Sequence, residues 1–376
     1  MIYLDNSATS FYKPTEVKNC VINALNTLTA NPGRGGYSAS IKTGEEVFNT
    51  RELLKQFFNA ANYEVIFTKN CTEALNLAIL GSLKAGDHVI TSVYEHNSVL
   101  RPLKYLQQHG VEVDFLDCPL EEFHKFALLK IKPNTKMIVC TAVSNVTGDY
   151  CNLNELCKIK EKHNLLVLID GAQASGHIEI DLEKCNIDMY AFAGHKGLLS
   201  LTGVGGLIVK KGLTLQPILF GGTGTNSQNL VQPTDIPEGL EAGTIPTISI
   251  ISLGAGTRFL IKNFKKIQKT EQNLSKKLYF ELKKLNFIKL YSNYNSVNVF
   301  SFNINNMDSS LVADILNEKF NICVRAGLHC APLIHKKLNT INSGAVRVSI
   351  DFNNTEQEIN YLIDALKFIN KSYNQQ

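Results

Sequence analysis

A short unbroken apolar run, Leu165–Ile169, ends abruptly in Asp170, and a second run, Met189–Phe192, leads into Gly194, His195 and Lys196. A strand that is apolar on both sides must be covered on both faces, which is the habit of a parallel sheet with helices above and below. Such sheets offer ligand-binding groups where their strands end. An acid and an amine carried to that edge by two strands constrain the chain more than any other feature in it.

The rest of the chain keeps the same rhythm. From Tyr63 onward, strand-like runs at 65–68, 88–92, 111–116 and 137–142 alternate with helical stretches, the first of them at 73–83. That alternation predicts a doubly wound α/β fold with a mostly parallel sheet. A strand at 205–209 follows a glycine-rich turn, and an antiparallel direction is open to it. Upstream, helices are expected from Pro14 to about Thr29 and from Ile41 to Asn59; between them Asn31–Tyr37 is broken by glycine and proline. Residues 220–247 hold too much glycine and proline for a regular element, and a loop of that length is more often functional or interfacial than idle. A helical region from Ile248 then leads to strands at 297–302 and 346–350 and helices near 309–319 and 355–371. The expected organisation is a large domain of residues 15–250 and a smaller α+β C-terminal domain of residues 251–376, with residues 1–14 packing on the smaller one.

Composition narrows the function classes. With 38 basic and 34 acidic residues the charge is too balanced to imply a nucleic-acid partner. The lysine-rich stretch 262–284 is interleaved with Phe264, Ile267, Leu274, Leu278 and Leu282, the pattern of an amphipathic helix with a solvated face. No apolar run is long enough to span a bilayer, and MIYLDNSATS lacks a basic region followed by an apolar one, so a cytoplasmic location without membrane contact is expected. The nine cysteines include no Cys-x-x-Cys pair; Cys20, Cys118, Cys140, Cys157 and Cys185 read as buried small hydrophobes, and no metal site is expected.

Several strand ends deliver polar groups to one edge: Thr72, His96, Asn145, Asp170 with Gln173, and His195 with Lys196. Singly, each has an ordinary reading; Thr72 looks like a helix N-cap and Lys196 like a surface lysine. Lys196, however, is flanked by Ala193-Gly194 and Gly197-Leu198-Leu199, where little else could solvate a charge. The combination matches what pyridoxal 5'-phosphate needs. A lysine of lowered pKa forms a Schiff base, an aspartate pairs with the pyridine nitrogen, a helix N-terminus takes the phosphate, and a flat side chain covers the ring.

At this point a family likeness emerges. The chain resembles the cysteine desulfurases of the class V aminotransferases, fold type I pyridoxal-phosphate enzymes. The likeness rests on YLDNSATS (3–10), NPGRGG (31–36), FTKNCTEALNLA (67–78), EHNS (95–98), SNVTG (144–148), DGAQ (170–173), GHKG (194–197), EAGT (241–244), RAGLHCAP (325–332) and RVS (347–349). RAGLHCA resembles the signature of the branch with a short active-site cysteine loop. The resemblance implies that Lys196 carries the cofactor, Asp170 contacts the pyridine nitrogen, Gln173 the ring hydroxyl, and His96 stacks on the ring. It assigns the phosphate to Thr72, backbone groups around Cys71, and His195, with Thr244 reaching in from the partner subunit of a homodimer. Asn145 and Arg347 would bind the substrate carboxylate, with Arg325 and Arg34 also on the substrate side. Cys330 would be the nucleophile, and His329 and Arg325 are candidates to favour its thiolate.

The implied reaction turns L-cysteine into L-alanine and leaves a persulfide on Cys330 for a sulfur-acceptor protein, such as iron–sulfur assembly or tRNA-thiolation machinery. A selenocysteine lyase, an eliminating C–S lyase and a non-catalytic sulfur-relay subunit are the alternatives. Three places depart from better-known members of the branch. Cys71 stands where threonine is usual, in a role expected to be largely backbone. Ala193 replaces a phosphate-binding serine, and Gly33 and Tyr37 stand where histidines often line the entrance.

Overall fold

A computed structural model describes residues 1–33, 35–225, 228–305 and 307–373. The chain opens with a two-residue strand, β1 (Ile2–Tyr3), and two helices, α1 (Thr15–Thr27) and α2 (Ser38–Phe57). Alternation follows: β2 (Tyr63–Thr68), α3 (Cys71–Ser82), β3 (His88–Ser92), α4 (Asn97–Gln108), β4 (Glu112–Leu116), α5 (Phe123–Leu128) and β5 (Thr135–Thr141). Next come α6 (Leu153–His163), β6 (Leu166–Asp170), α7 (Leu182–Cys185), β7 (Met189–Ala193) and β8 (Gly205–Lys210). These strands form one sheet in the order β2-β8-β7-β6-β5-β3-β4. β8 pairs antiparallel with both neighbours; the other strands share one direction.

The apolar runs work as a buried parallel sheet requires. Successive side chains of β6 alternate between two packed groups, Val167 and Ile169 on one face and Leu168 on the other. Leu54, Leu156 and Leu253 belong to the first group, so α2, α6 and the long helix α8 (Thr247–Lys283) cover that face. Leu75, Ala78 and Leu103, from α3 and α4, belong to the second. The result is a three-layer α/β/α arrangement.

The C-terminal part contributes β9 (Ile288–Leu290), β10 (Val299–Ile304), α9 (Ser309–Phe320), β11 (Ile322–Cys323), β12 (Arg325–Gly327), α10 (Pro332–Lys337), β13 (Ala345–Ser349) and α11 (Glu356–Tyr373). Its antiparallel sheet runs β12-β13-β10-β9, while β1 pairs parallel with β11. Leu4, Phe300, Val348 and Leu366 share a third apolar core there. Helix α8 serves two cores: Ile250 and Leu260 pack with the large sheet, Leu274 and Leu278 with the small one. The boundary expected at 250 therefore falls inside its first turn. The lysine-rich stretch is the second half of this helix, with Leu274, Leu278 and Leu282 inward. Among the described residues no helix is long and apolar enough to cross a membrane. Cys118, Cys140, Cys157 and Cys185 are buried as expected, but Cys20 is only half-buried, because α1 turns it toward the rim of its packing face.

Helix α8 touches the loop after β7 at a glycine. A Cβ added to Gly256 would lie 2.2 Å from the carbonyl oxygen of Leu198, a backbone atom that cannot swing aside. Gly256→Ala should therefore lower stability by about 1–3 kcal/mol through overpacking, read as a lower urea midpoint. Gly44→Ala in α2, where nothing lies within 4 Å of the added carbon, should be neutral or stabilising.

Candidate active site

Because β2, β3, β5, β6 and β7 share a direction, the residues that follow them collect at one edge. Thr72, His96, Asn145, Asp170, Gln173 and Lys196 line one cavity there, together with Cys71 and His195. Asp170 is the last residue of β6, and Lys196 follows β7 by three residues. Among the described residues the Lys196 amine has no hydrogen bond or ion pair. Desolvation lowers its pKa, and the nearby Asp170 carboxylate offsets part of that. A lysine held this way is a nucleophile or base in waiting.

The Cys71 side chain is part of this arrangement. Its thiol donates to Asp170 Oδ1 at 3.6 Å, and Ala172 N–H donates to the same oxygen at 2.9 Å. Burial pushes the Cys71 thiol well above its usual pKa, so it stays a donor. Expected as a backbone contributor, Cys71 also reaches the aspartate through its sulfur.

At the start of α3 the cap is Asn70, whose side chain accepts from Glu73 N–H, and not Thr72 as its position suggested. Thr72 lies two residues later, in the first turn, and its hydroxyl pairs with Ser98 Oγ at 2.7 Å. Ser98 Oγ also lies 2.8 Å from His96 Nδ1, and Ser98 N–H donates to that nitrogen. Nδ1 is therefore an acceptor and the ring proton sits on Nε2. Burial pushes His96 down to about 4 and His195 likewise to about 4, so both imidazoles are neutral at pH 7. His195 Nδ1 is buried without a partner among the described residues. Its carbonyl, by contrast, accepts from Thr9 Oγ1, Ser10 Oγ and Ser10 N–H, at 3.1, 3.1 and 3.0 Å. The N-terminal segment thus clamps the peptide that precedes Lys196.

The small sheet supplies the other wall. Arg347 on β13 is 1% exposed; it donates to Asp5 Oδ1 at 2.7 Å and to Asn145 O at 3.1 Å, while its buried Nε has no partner among the described residues. Arg325 stands directly across from it on β12. Two like charges facing each other across strands are unfavourable unless an anion lies between them. Gln173 Nε2 donates to Ser7 O at 3.1 Å, and Asn145 Nδ2 donates to His329 O at 2.7 Å, leaving each amide a second N–H.

Cys330 is exposed on the turn between β12 and α10, where it and His96 border a second hollow that shares Thr72 and Ser98 with the first. Arg325 Nη2 lies 3.7 Å from its sulfur. His329 does not join Arg325 there. Its ring is buried and bonds to His335 and the Arg325 carbonyl, because the left-handed turn carries it inward. Cys323 is half-buried at the short strand pair with β1.

The remaining expectations separate. Thr244 is exposed and lies outside the lining of the Lys196 cavity of its own chain. The segment that carries it is anchored by Glu241, which makes a bidentate pair with Arg51 at 2.9 and 2.7 Å and accepts Phe67 N–H. Ala193 lines the Lys196 cavity without a hydroxyl to offer, and Tyr37 is exposed. Arg34 lies outside the described residues.

Spacing alone assigns no role to Ser98, Asp5, Ser10 or Glu95. All four sit inside motifs quoted above, but only tertiary geometry shows what they touch. Glu95 has no exposed surface; Oε1 accepts from Ser92 Oγ and Thr141 N–H, and Oε2 has no partner among the described residues. Burial, opposed by those hydrogen bonds, pushes its carboxyl up to about 8. Its folded pKa exceeds the unfolded 4.5, so the unfolded chain releases this proton first and wild-type stability falls as pH rises from 4.5 to about 8. Glu95→Gln has no proton to lose. Unfolding free energies from urea titration should therefore shift in the variant's favour, relative to wild type, by about 1.4 kcal/mol per pH unit across that window.

Known proteins resemble this chain along nearly its whole length. The Aminotransferase class-V family model matches residues 2–362. A probable cysteine desulfurase of Methanothermobacter thermautotrophicus is 33% identical, with 98% of this chain and 94% of that protein covered. The cysteine desulfurase of Thermococcus onnurineus, solved in its apo form, superposes with a TM-score of 0.88 at 30% identity, covering 98% of this chain and 94% of that one. The cysteine desulfurase CsdA of Escherichia coli, solved as an S-sulfonic acid, gives 0.85 at 26% identity over 98% of this chain and 94% of its own. The chain belongs to the class V aminotransferase family and, within it, to the cysteine desulfurases.

Proposed function

We propose that the protein is a pyridoxal-phosphate-dependent cysteine desulfurase that converts L-cysteine to L-alanine and parks the sulfur as a persulfide on Cys330. The observation that carries this is the placement of an exposed thiol, contacted by Arg325, in a hollow that shares its walls with the Lys196–Asp170 cavity.

The residues fit the cofactor. The unpartnered Lys196 amine faces Asp170, and the orphaned His195 Nδ1 and first-turn N–H groups of α3 suit a phosphate. Lys196 would bind it covalently, Asp170 and Gln173 would hold the ring edge, and Thr72 with His195 would hold the phosphate. When bound, pyridoxal 5'-phosphate supplies an electron sink for the pair released when the substrate Cα proton leaves.

The chain's own groups do the rest. Arg347, oriented by Asp5, presents its free Nε to the substrate carboxylate, with Arg325 opposite. Lys196 Nζ, its pKa lowered by burial, takes the Cα proton; His96 Nε2 offers a second proton site. Cys330 Sγ attacks as thiolate on the substrate sulfur. An S–S bond forms, the C–S bond breaks, and its electron pair goes to the carbon skeleton, which takes up protons and leaves as alanine. The outer sulfur then passes to an acceptor thiol.

Exposed Thr244, on a segment fixed by Arg51 and Glu241, supports a homodimer in which it completes the partner's phosphate site. Persulfide chemistry also fits a reducing, cytoplasmic setting. In solution with L-cysteine and a reductant, wild type should release alanine and sulfide in equal amounts. Cys330→Ala should lose about a hundredfold or more of this activity with the cofactor's visible band intact. Pyruvate as the product, or full activity in that variant, would contradict the proposal.

A further inference from the structure

The Cys330 thiol sits on a turn that resists its own shape. His329 (φ 50°) and Cys330 (φ 58°) are consecutive left-handed residues, and neither is glycine. Side chains with a Cβ avoid that region, so such a turn persists only when its surroundings over-determine it. Backbone groups supply part of the hold. Asn145 Nδ2 donates to His329 O, Asn97 N–H donates to Cys330 O at 2.7 Å, and Ala331 N–H donates to Leu328 O. Those bonds would form with any residue at 329. They leave unexplained why an imidazole is buried there.

The His329 ring is one link in a directed chain. Its Nε2 lies 3.5 Å from Arg325 O, an atom that can only accept, so Nε2 carries the proton and Nδ1 accepts. His335 Nε2, 3.2 Å away, must then donate to His329 Nδ1. His335 Nδ1 is left to accept from Thr340 Oγ1 at 2.8 Å. All four ring nitrogens are satisfied with both rings neutral, and the chain runs from Thr340 just after α10 back to the strand carrying Arg325. His335 has no exposed surface and His329 is 2% exposed, so water cannot substitute for a missing link.

We propose that His335 is a positioning residue for Cys330: oriented by Thr340, its imidazole locks His329, and through it the left-handed turn that presents the thiol to Arg325 and the substrate hollow. This rests on the desulfurase reading for its consequence, but its physical claim concerns the turn alone. His335 touches neither substrate nor cofactor; it acts through His329.

The test uses full-length protein loaded with pyridoxal 5'-phosphate. Alanine formation and hydrogen exchange at the Asn97 amide, the donor to Cys330 O, are measured in wild type, His335→Ala, His335→Gln and Thr340→Val. In His335→Ala, kcat should fall about tenfold while KM for L-cysteine stays within about twofold and the cofactor band is unchanged. Asn97 exchange should quicken about tenfold as the turn opens. Gln at 335 keeps a side-chain N–H for His329 Nδ1 and should restore both readouts. Thr340→Val, which keeps the volume, should move both in the direction of His335→Ala, and it carries the test if the alanine variant fails to fold. Unchanged exchange in both His335→Ala and Thr340→Val would overturn the proposal, as would failure of the Gln variant to recover either readout. If wild type itself forms no alanine, the desulfurase reading fails, and the exchange data still decide whether the pair holds the turn.

Discussion

The structure depends on holding an amine beside a carboxylate without letting the two close into an ion pair. Lys196 makes no hydrogen bond among the described residues, although Asp170 lines the same cavity. An ammonium beside a carboxylate in a dry cavity would normally close into an ion pair. Here the chain spends the aspartate elsewhere: Oδ1 already accepts from Cys71 and Ala172. The backbone before Lys196 is pinned as well, by Thr9 and Ser10 on the His195 carbonyl and by the close approach of α8 at Gly256. A lysine so held has little freedom to seek a partner, and that is the state a covalent cofactor site needs.

A second constraint follows from building the site from two sheets. The large sheet can deliver groups only at its carboxyl edge, and that edge supplies the acid, the amine and the histidines. The charged guanidinium groups and the exposed thiol come from the small sheet. The N-terminal segment ties the two together, with Asp5 on Arg347, Ser7 N–H on Ser349 and its oxygen on Gln173. Removing the partly exposed Asp5 would leave the buried Arg347 guanidinium without its carboxylate partner. The first ten residues are therefore part of the site's frame.

Much of this was legible in the sequence, for a physical reason. Buried parallel strands must be apolar throughout, so β3, β6 and β7 are marked by composition alone, and polar residues just beyond them have only one place to go. What the sequence does not carry is direction. Asn70 and Thr72 are both good caps, and only the backbone path decides for Asn70. His329 neighbours Cys330 in the chain, yet the left-handed turn sends its ring to His335 instead. Cys71 looked silent because a helix start is read as a set of backbone donors, while its side chain happens to face Asp170. Ser98 and Glu95 act through contacts made by folding, which no spacing rule encodes.

The central claim is that the sulfur of the substrate ends on one particular thiol out of nine. Among these nine, Cys330 alone is exposed, and an arginine contacts it. The direct measurement is to mix the cofactor-loaded protein with L-cysteine without reductant, trap persulfides by alkylation, and map the modified peptides by mass spectrometry. The account predicts an added sulfur on the Cys330 peptide and on no other. Sulfur found on a different cysteine, or alanine released with no sulfur bound to the protein at any time point, would contradict it.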